Sequence, residues 1–327
     1  MPKSLQLGTA LQLVWQTTPI LLVQLGVYLV FWIVALIYLA AVIGLAVLLN
    51  AIHGLLALIV VIVGLGAISP IYKLAYRYVF YVIKAAHLVV MGELLTHGQL
   101  PAGQRQLAWG KQQVQERFGD VSVMFVADTL VNGVLRAFTR TVYSIASWIP
   151  GKEMRQLANV ANRVIRYATT YIDEAILARA FWRRDPNLWE SAKDGIILYA
   201  MVWKPLLINA VALMLLSYVP FVVVMVLIAA PVGLVLSAVS TPVAAWSVLA
   251  LLVLAYLIKV AVGESFAMAA IIAAYHHEIE GLQPDPAIEQ RLDSISADFR
   301  KLKERITAAP EGAAQSDHAA ALPPPTR

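Results

Sequence analysis

Polar positions are scarce in two long stretches of this chain, and their spacing sets the first expectations. Between Pro19 and Ile68 there is no Asp, Glu, Lys or Arg. Fifty helical residues would make a rod of about 75 Å, against roughly 30 Å of bilayer hydrocarbon, so the block must fold back. Asn50-Ala51-Ile52-His53-Gly54 supplies the turn residues. The pattern predicts one span near Pro19–Leu48 and a second near Leu55–Ile68. A backbone at that depth has no water to bond, which leaves helix as the form. The run is too long for a signal peptide and only Lys3 precedes it, so no cleavage is expected.

The second apolar block runs from Gly195 to about Tyr275, broken at Lys204-Pro205, Pro220, Pro231 and Ser240-Thr241-Pro242. It reads as two long spans or four short ones, and two are preferred. Both counts return the chain to the side it left. Residues 71–195 hold 16 of the 25 Lys and Arg, and the short turns hold none. Basic residues stay on the inner side, so the middle and both termini are expected in the cytoplasm.

The middle third has helical rather than spanning character. On a regular helix Lys73, Arg77, Lys84 and His87 fall within a sector of about 80°, with Tyr, Phe, Val and Leu elsewhere. That is a basic amphipathic helix, expected to lie among anionic lipid headgroups or to line a polar cavity with its basic stripe. A Gln-rich stretch, 97–120, is the most water-compatible segment before the tail. In 121–149, Asp128, Asn132, Arg136 and Arg140 recur every four residues as a polar stripe on an apolar helix. From Lys152 to about Trp182, Ala161, Ala168 and Ala175 lie on a heptad-like seam whose small residues permit close helix approach. The seam can pair within the chain or with a second copy as a homo-oligomer, and both stay open. Beyond Pro286 a polar helix places Ile288, Leu292, Ile295 and Phe299 at helical spacing, and disorder is expected after Ala308.

The resulting division is 1–70, an N-terminal amphipathic segment and transmembrane hairpin; 71–194, cytoplasmic and interfacial helices; 195–280, a second hairpin; and 281–327, a soluble helix and tail. The fold class is all-α, a polytopic membrane protein with about four transmembrane helices. Composition agrees: 60% of the 327 residues are hydrophobic and 14% charged, too little polar surface for a soluble globule. The absence of cysteine removes disulfides, thiolate metal sites and a Cys nucleophile. The net charge of +5 points to lipid rather than nucleic acid, because the basic stripe has apolar flanks.

Candidate chemistry is sparse. Lys259 and Glu264 lie in the last apolar run, where an ionisable group is costly and so suggests function. On a regular helix they stand about 140° apart, so each is expected to need its own partner, with Lys204 or Asn209 as candidates. The bland alternative is Lys259 snorkelling to the interface. Gly263, Ala267, Ala270 and Ala274 form a small-residue packing stripe beside them. His276 and Glu280 are four apart, but two ligands make no metal site. No phosphate loop, dinucleotide fingerprint, HExxH or GxSxG is present, so neither an enzyme nor a cofactor is expected.

From Val121 to Glu280, about half the chain, the order of features resembles the C-terminal half of choline-transporter-like membrane proteins. The pieces are the apolar helix at 121–142, Tyr171-Ile172 with Ala175-Ile176, Ala192-Lys193-Asp194-Gly195, and two apolar runs ending at Glu278-x-Glu280. The N-terminal half lacks that family's additional spans and cysteine-containing loop. The chain is also similar to uncharacterised bacterial multi-span proteins, which implies an inner-membrane location. The expected function is a transporter or permease component for a small or amphiphilic solute. The alternative is a membrane-organising protein acting through the basic helix and the alanine seam.

Overall fold

The computed structural model describes residues 6–118, 121–146, 171–183, 187–227, 248 and 252–308. Every regular element among them is helical, and none is a strand. The seam positions Ala161 and Ala168 lie outside the described residues. So do 228–247, on which the choice between two and four spans rests, and the tail after Ala308.

The chain divides into two compact units. One comprises Leu7–Gln113 and Leu213–Ala269; the other holds the described portions of Val114–Ala212 and Ala270–Arg327. Each unit brings together residues far apart in sequence.

In the first unit, α1 (Leu7–Gln16) leads into α2 (Thr18–Asn50) and α3 (Gly54–Ala75). The turn falls where the polar residues predict it. His53 is extended, and its Nδ1 accepts the Leu55 N–H at 3.2 Å, satisfying one free donor of the first turn of α3. The helices approach closely at Gly64, where a β-carbon would lie 2.6 Å from a Val42 methyl. The Tyr38 hydroxyl donates to the Gly64 carbonyl at 2.9 Å. Otherwise both helices are bare: within the most apolar window of each, only 6% of residues are buried. That much exposed Leu, Ile and Val needs an apolar solvent. At about 50 Å and 33 Å, both rods are long enough to cross a bilayer.

A five-residue π-helical segment, Tyr76–Phe80, joins α3 to α4 (Tyr81–His97). One extra residue per turn rotates everything after it by about 100° relative to a regular helix. The sector shared by Lys73, Arg77, Lys84 and His87 is therefore broken. Lys73 is exposed and Lys84 half-buried, while His87 sits in the interior at 1% exposure. The run from Ala85 to Leu94 is buried on every side, so α4 is an interior helix and not a one-sided interfacial one. Residues 106–113 of α5 (Gln106–Phe118) pack on it at Gly110, where any β-carbon would overlap the Ala86 carbonyl.

In the second unit, α6 (Val121–Ala146) buries Met124, Ala127, Val131, Val134 and Leu135, a spacing that makes one helical face. Against it pack the tail helices, which bury Leu292, Phe299 and Leu302. The single tail helix expected from the sequence is two, α11 (Pro286–Ile295) and α12 (Ala297–Ala308); they are numbered after the helices introduced next. Ser296 is extended between them and its hydroxyl accepts the Phe299 N–H at 3.2 Å, an N-cap that starts the second helix. Helix α7 (171–182) and the first turns of α8 (Leu188–Leu216) approach closely at Gly195, where a β-carbon would lie 2.9 Å from an Ile176 methyl; Ala175 and Ala192 are both fully buried. Arg179 Nη1 donates to the Ser191 carbonyl at 3.1 Å and to its hydroxyl oxygen at 3.2 Å. Pro205 lies inside α8, and Val202 just before it leaves helical geometry, as expected where proline removes a backbone donor.

A short helix, α9 (219–227), precedes α10 (Leu252–Glu278). Among the described residues three helices are long and apolar enough to cross a membrane: α2, α3 and α10. Unlike the first two, α10 has 67% of its apolar window buried.

Candidate functional site: an aromatic cavity and an ion pair on a π turn

The helix α10 carries a second π-helical segment, Lys259–Gly263. A π turn places residues five apart nearly over one another. Lys259 Nζ accordingly donates to Glu264 Oε1 at 3.1 Å, where a regular helix would hold the two side chains on different faces. The separate partners expected from the sequence are therefore unnecessary: each of the two charges is the other's partner. The Lys259 side chain is 13% exposed and that of Glu264 40%. The ammonium also lies 5.1 Å from the centroid of the Tyr218 ring, a favourable cation–π placement.

The segment is held in place by Gly263, which lies so close to the Ser217 carbonyl that no side chain fits between. This gives the small-residue stripe its first member in a packing role. Ala267, Ala270 and Ala274 are all buried as well. Lys204 lies 5.9 Å from the centroid of the adjacent Trp203 ring. Lys204 and Asn209 belong to the other unit, and the side chain of Asn209 lies outside the described residues.

Beside the ion pair, within the first unit, is a cavity of about 420 Å³. That is within the usual range for small-molecule sites. Helix α2 lines it with Tyr28, Phe31, Trp32 and Ala35. The end of α3 and the first π segment add Tyr72, Tyr76 and Phe80; α10 adds Tyr256, Leu257, Val260 and Glu264. Phe80 is the hub of the ring cluster. Its centroid lies 5.1 Å from that of Tyr28, 5.3 Å from Phe31 and 6.4 Å from Tyr76, tilted or edge-on, as ring quadrupoles prefer. Glu264 is the one formally charged residue among the described residues of the lining. Both π segments thus contribute to the cavity wall.

The aromatic lining is what hydropathy missed, since Tyr, Phe and Trp count there as ordinary apolar residues. A signal existed: Tyr28, Phe31 and Trp32 are three and four apart, and Tyr72, Tyr76 and Phe80 repeat every four. Each set makes a stripe on one face of its helix.

Two other polar clusters lie in the interior. In the first unit, His87 Nε2 is 2.9 Å from Thr17 Oγ1. With the Thr17 hydroxyl donating to the Leu13 carbonyl at 2.8 Å, the ring nitrogen of His87 is the donor of the pair. Burial pushes its pKa down to about 3. In the second unit, Asn132 Nδ2 donates to Asp173 Oδ2. The polar stripe of α6 is thus partly turned onto protein, with Arg136 and Arg140 left exposed. Asp173 and Glu174 are buried there beside it. The described residues contain no cluster of three His, Asp or Glu with metal-ligating geometry.

Among the described residues the protein is all-helical, with three helices long and apolar enough to cross a membrane. Compared with protein-family models, curated proteins and solved structures, the chain matches none.

Proposed function

We propose that this is a polytopic inner-membrane protein that binds a small amphiphilic solute in the aromatic cavity and takes part in its transport. On this reading about four helices cross the bilayer, with the middle and both termini on the cytoplasmic side. The observation that carries it is the cavity itself: a solute-sized space, walled by rings and by one carboxylate, among helices apolar enough to sit in lipid. Ionisable groups at such depth usually mark a solute or ion path. The lining offers a nonpolar body its rings and a polar head its single charge.

The test is uptake into proteoliposomes of three labelled probes that share one ring: 2-phenylethylamine, 2-phenylethanol and phenylpropionate. At least one should enter faster than into protein-free vesicles. Ala35→Trp, which fills the cavity from α2, should remove that excess. If no probe exceeds the protein-free rate, or if Ala35→Trp leaves uptake unchanged, the cavity is not a solute site.

A further inference from the structure

The lining and the ion pair together narrow the solute. Resting on the reading above, we propose that the cavity takes a protonated amine bearing an apolar or aromatic substituent. Its N–H bonds to Glu264, in competition with the ammonium of Lys259.

Three observations carry this. First, Glu264 is the one formally charged residue among the described residues of the lining, and it already accepts an ammonium N–H, so a cation with N–H donors is the partner it is built to hold. Second, the lining that Glu264 shares is mostly aromatic, and a cation gains from ring faces as well as from a carboxylate. Third, the chain already shows how this carboxylate holds an alkylammonium. Lys259 donates an N–H to Glu264 Oε1 at 3.1 Å while its charge lies 5.1 Å from the Tyr218 ring centroid. That is a hydrogen bond and not only a charge contact, so the head group that best replaces Lys259 is one with N–H donors. A quaternary ammonium has the charge without the donor and should bind less well.

The π turn gives the competition its geometry. Because Lys259 reaches Glu264 only through the five-residue turn, both belong to one short stretch of α10, and the Glu264 side chain keeps 40% of its surface open. An incoming amine can reach the second oxygen, or displace Lys259 from the first. In the latter case Lys259 keeps its place near the Tyr218 ring.

The experiment is isothermal titration of the full chain in detergent micelles. The probes are 2-phenylethylamine, its N,N,N-trimethyl derivative and 2-phenylethanol, against wild type, Glu264→Gln, Lys259→Met and Lys259→Gln. Gel filtration and a melting curve check that each variant is folded. The amine should bind saturably and at least fivefold tighter than the trimethyl derivative or the alcohol. Glu264→Gln should weaken it at least tenfold and leave the alcohol unchanged. Removing the competitor should tighten it severalfold in whichever Lys259 variant is folded. If the alcohol binds as well as the amine and Glu264→Gln has no effect, the amine proposal fails while the cavity remains a solute site. If the folded Lys259 variants bind no tighter, the competition is wrong. If none of the three probes binds, both this inference and the function proposed above fall together.

Discussion

Lowering the pH should weaken the first unit through His87. This imidazole is 1% exposed, lies on α4 outside the three apolar helices, and donates to Thr17 at the junction of α1 and α2. Burial holds its pKa at about 3, against 6.5 in the unfolded chain. Between those values only the unfolded chain takes up the proton, so stability falls as the pH drops below 6.5. The loss is about 1 kcal/mol over the first pH unit and approaches 1.4 kcal/mol per unit below it, so from 6.5 to 4.5 it sums to about 2 kcal/mol. That is a large share of the stability of an ordinary domain. The assay is a helix melt followed by circular dichroism in a fixed detergent at pH 6.5, 5.5 and 4.5, for wild type and His87→Gln. The glutamine amide can donate to Thr17 but does not titrate. All other groups are common to both proteins, so the difference in slope isolates His87. Wild type should lose several degrees more than the variant across that range. Parallel curves would refute the argument, and would mean that His87 is solvated or already charged in the fold.

Other substitutions probe the packing. Gly110→Ala should destabilise by about 1–3 kcal/mol, because its methyl meets the backbone carbonyl of Ala86, which cannot rotate away; a chemical-denaturation midpoint equal to wild type would contradict this. Tyr275→Phe removes the 2.8 Å hydroxyl donation to the Gly195 carbonyl and should cost about 1–3 kcal/mol by the same measurement. Phe299→Ala, at a fully buried position of α12 against α6, should cost about 3–5 kcal/mol and speed proteolysis of the tail helices before that of α2 and α3. Asp285→Ala should cost about 0.5–2 kcal/mol, since its carboxylate accepts the Ala287 N–H at 2.8 Å and caps α11.

The two N-terminal apolar helices were legible because lipid-facing helices must exclude charge over their whole length. Pro19–Leu48 and Leu55–Ile68, expected from the missing charges alone, are close to Thr18–Asn50 and Gly54–Ala75. What hydropathy could not show was a change of helical period. Projections at 100° per residue separated Lys259 from Glu264 and grouped His87 with Lys73, and one π turn in each stretch reversed both readings. Nothing local in Tyr76–Phe80 or Lys259–Gly263 marks a π turn. At Lys259–Gly263 the neighbouring Ser217 carbonyl accompanies it, a tertiary contact absent from the local sequence. The cavity was hidden for a related reason. Its rings come from stretches more than forty residues apart, and only the folding back of α3 on α2 brings Phe31 within 6.0 Å of Tyr72. The break at Ser296 was missed because Leu292 and Phe299 are seven apart, a spacing that also suits one continuous helix.

The account stands on lipid as the solvent of α2 and α3, and the absence of cysteine makes that directly measurable. Single cysteines at the exposed positions Val34, Ile37 and Val47 of α2, and Leu58, Ile62 and Leu65 of α3, can each carry a nitroxide in nanodiscs. Collision with oxygen and with a nickel chelate then reports depth. The account predicts high oxygen and low nickel accessibility at all six sites, with the greatest depth toward the middle of each helix. Nickel accessibility as high at Ile37 and Ile62 as at a label on the exposed Gln290 would place these helices in water and contradict it.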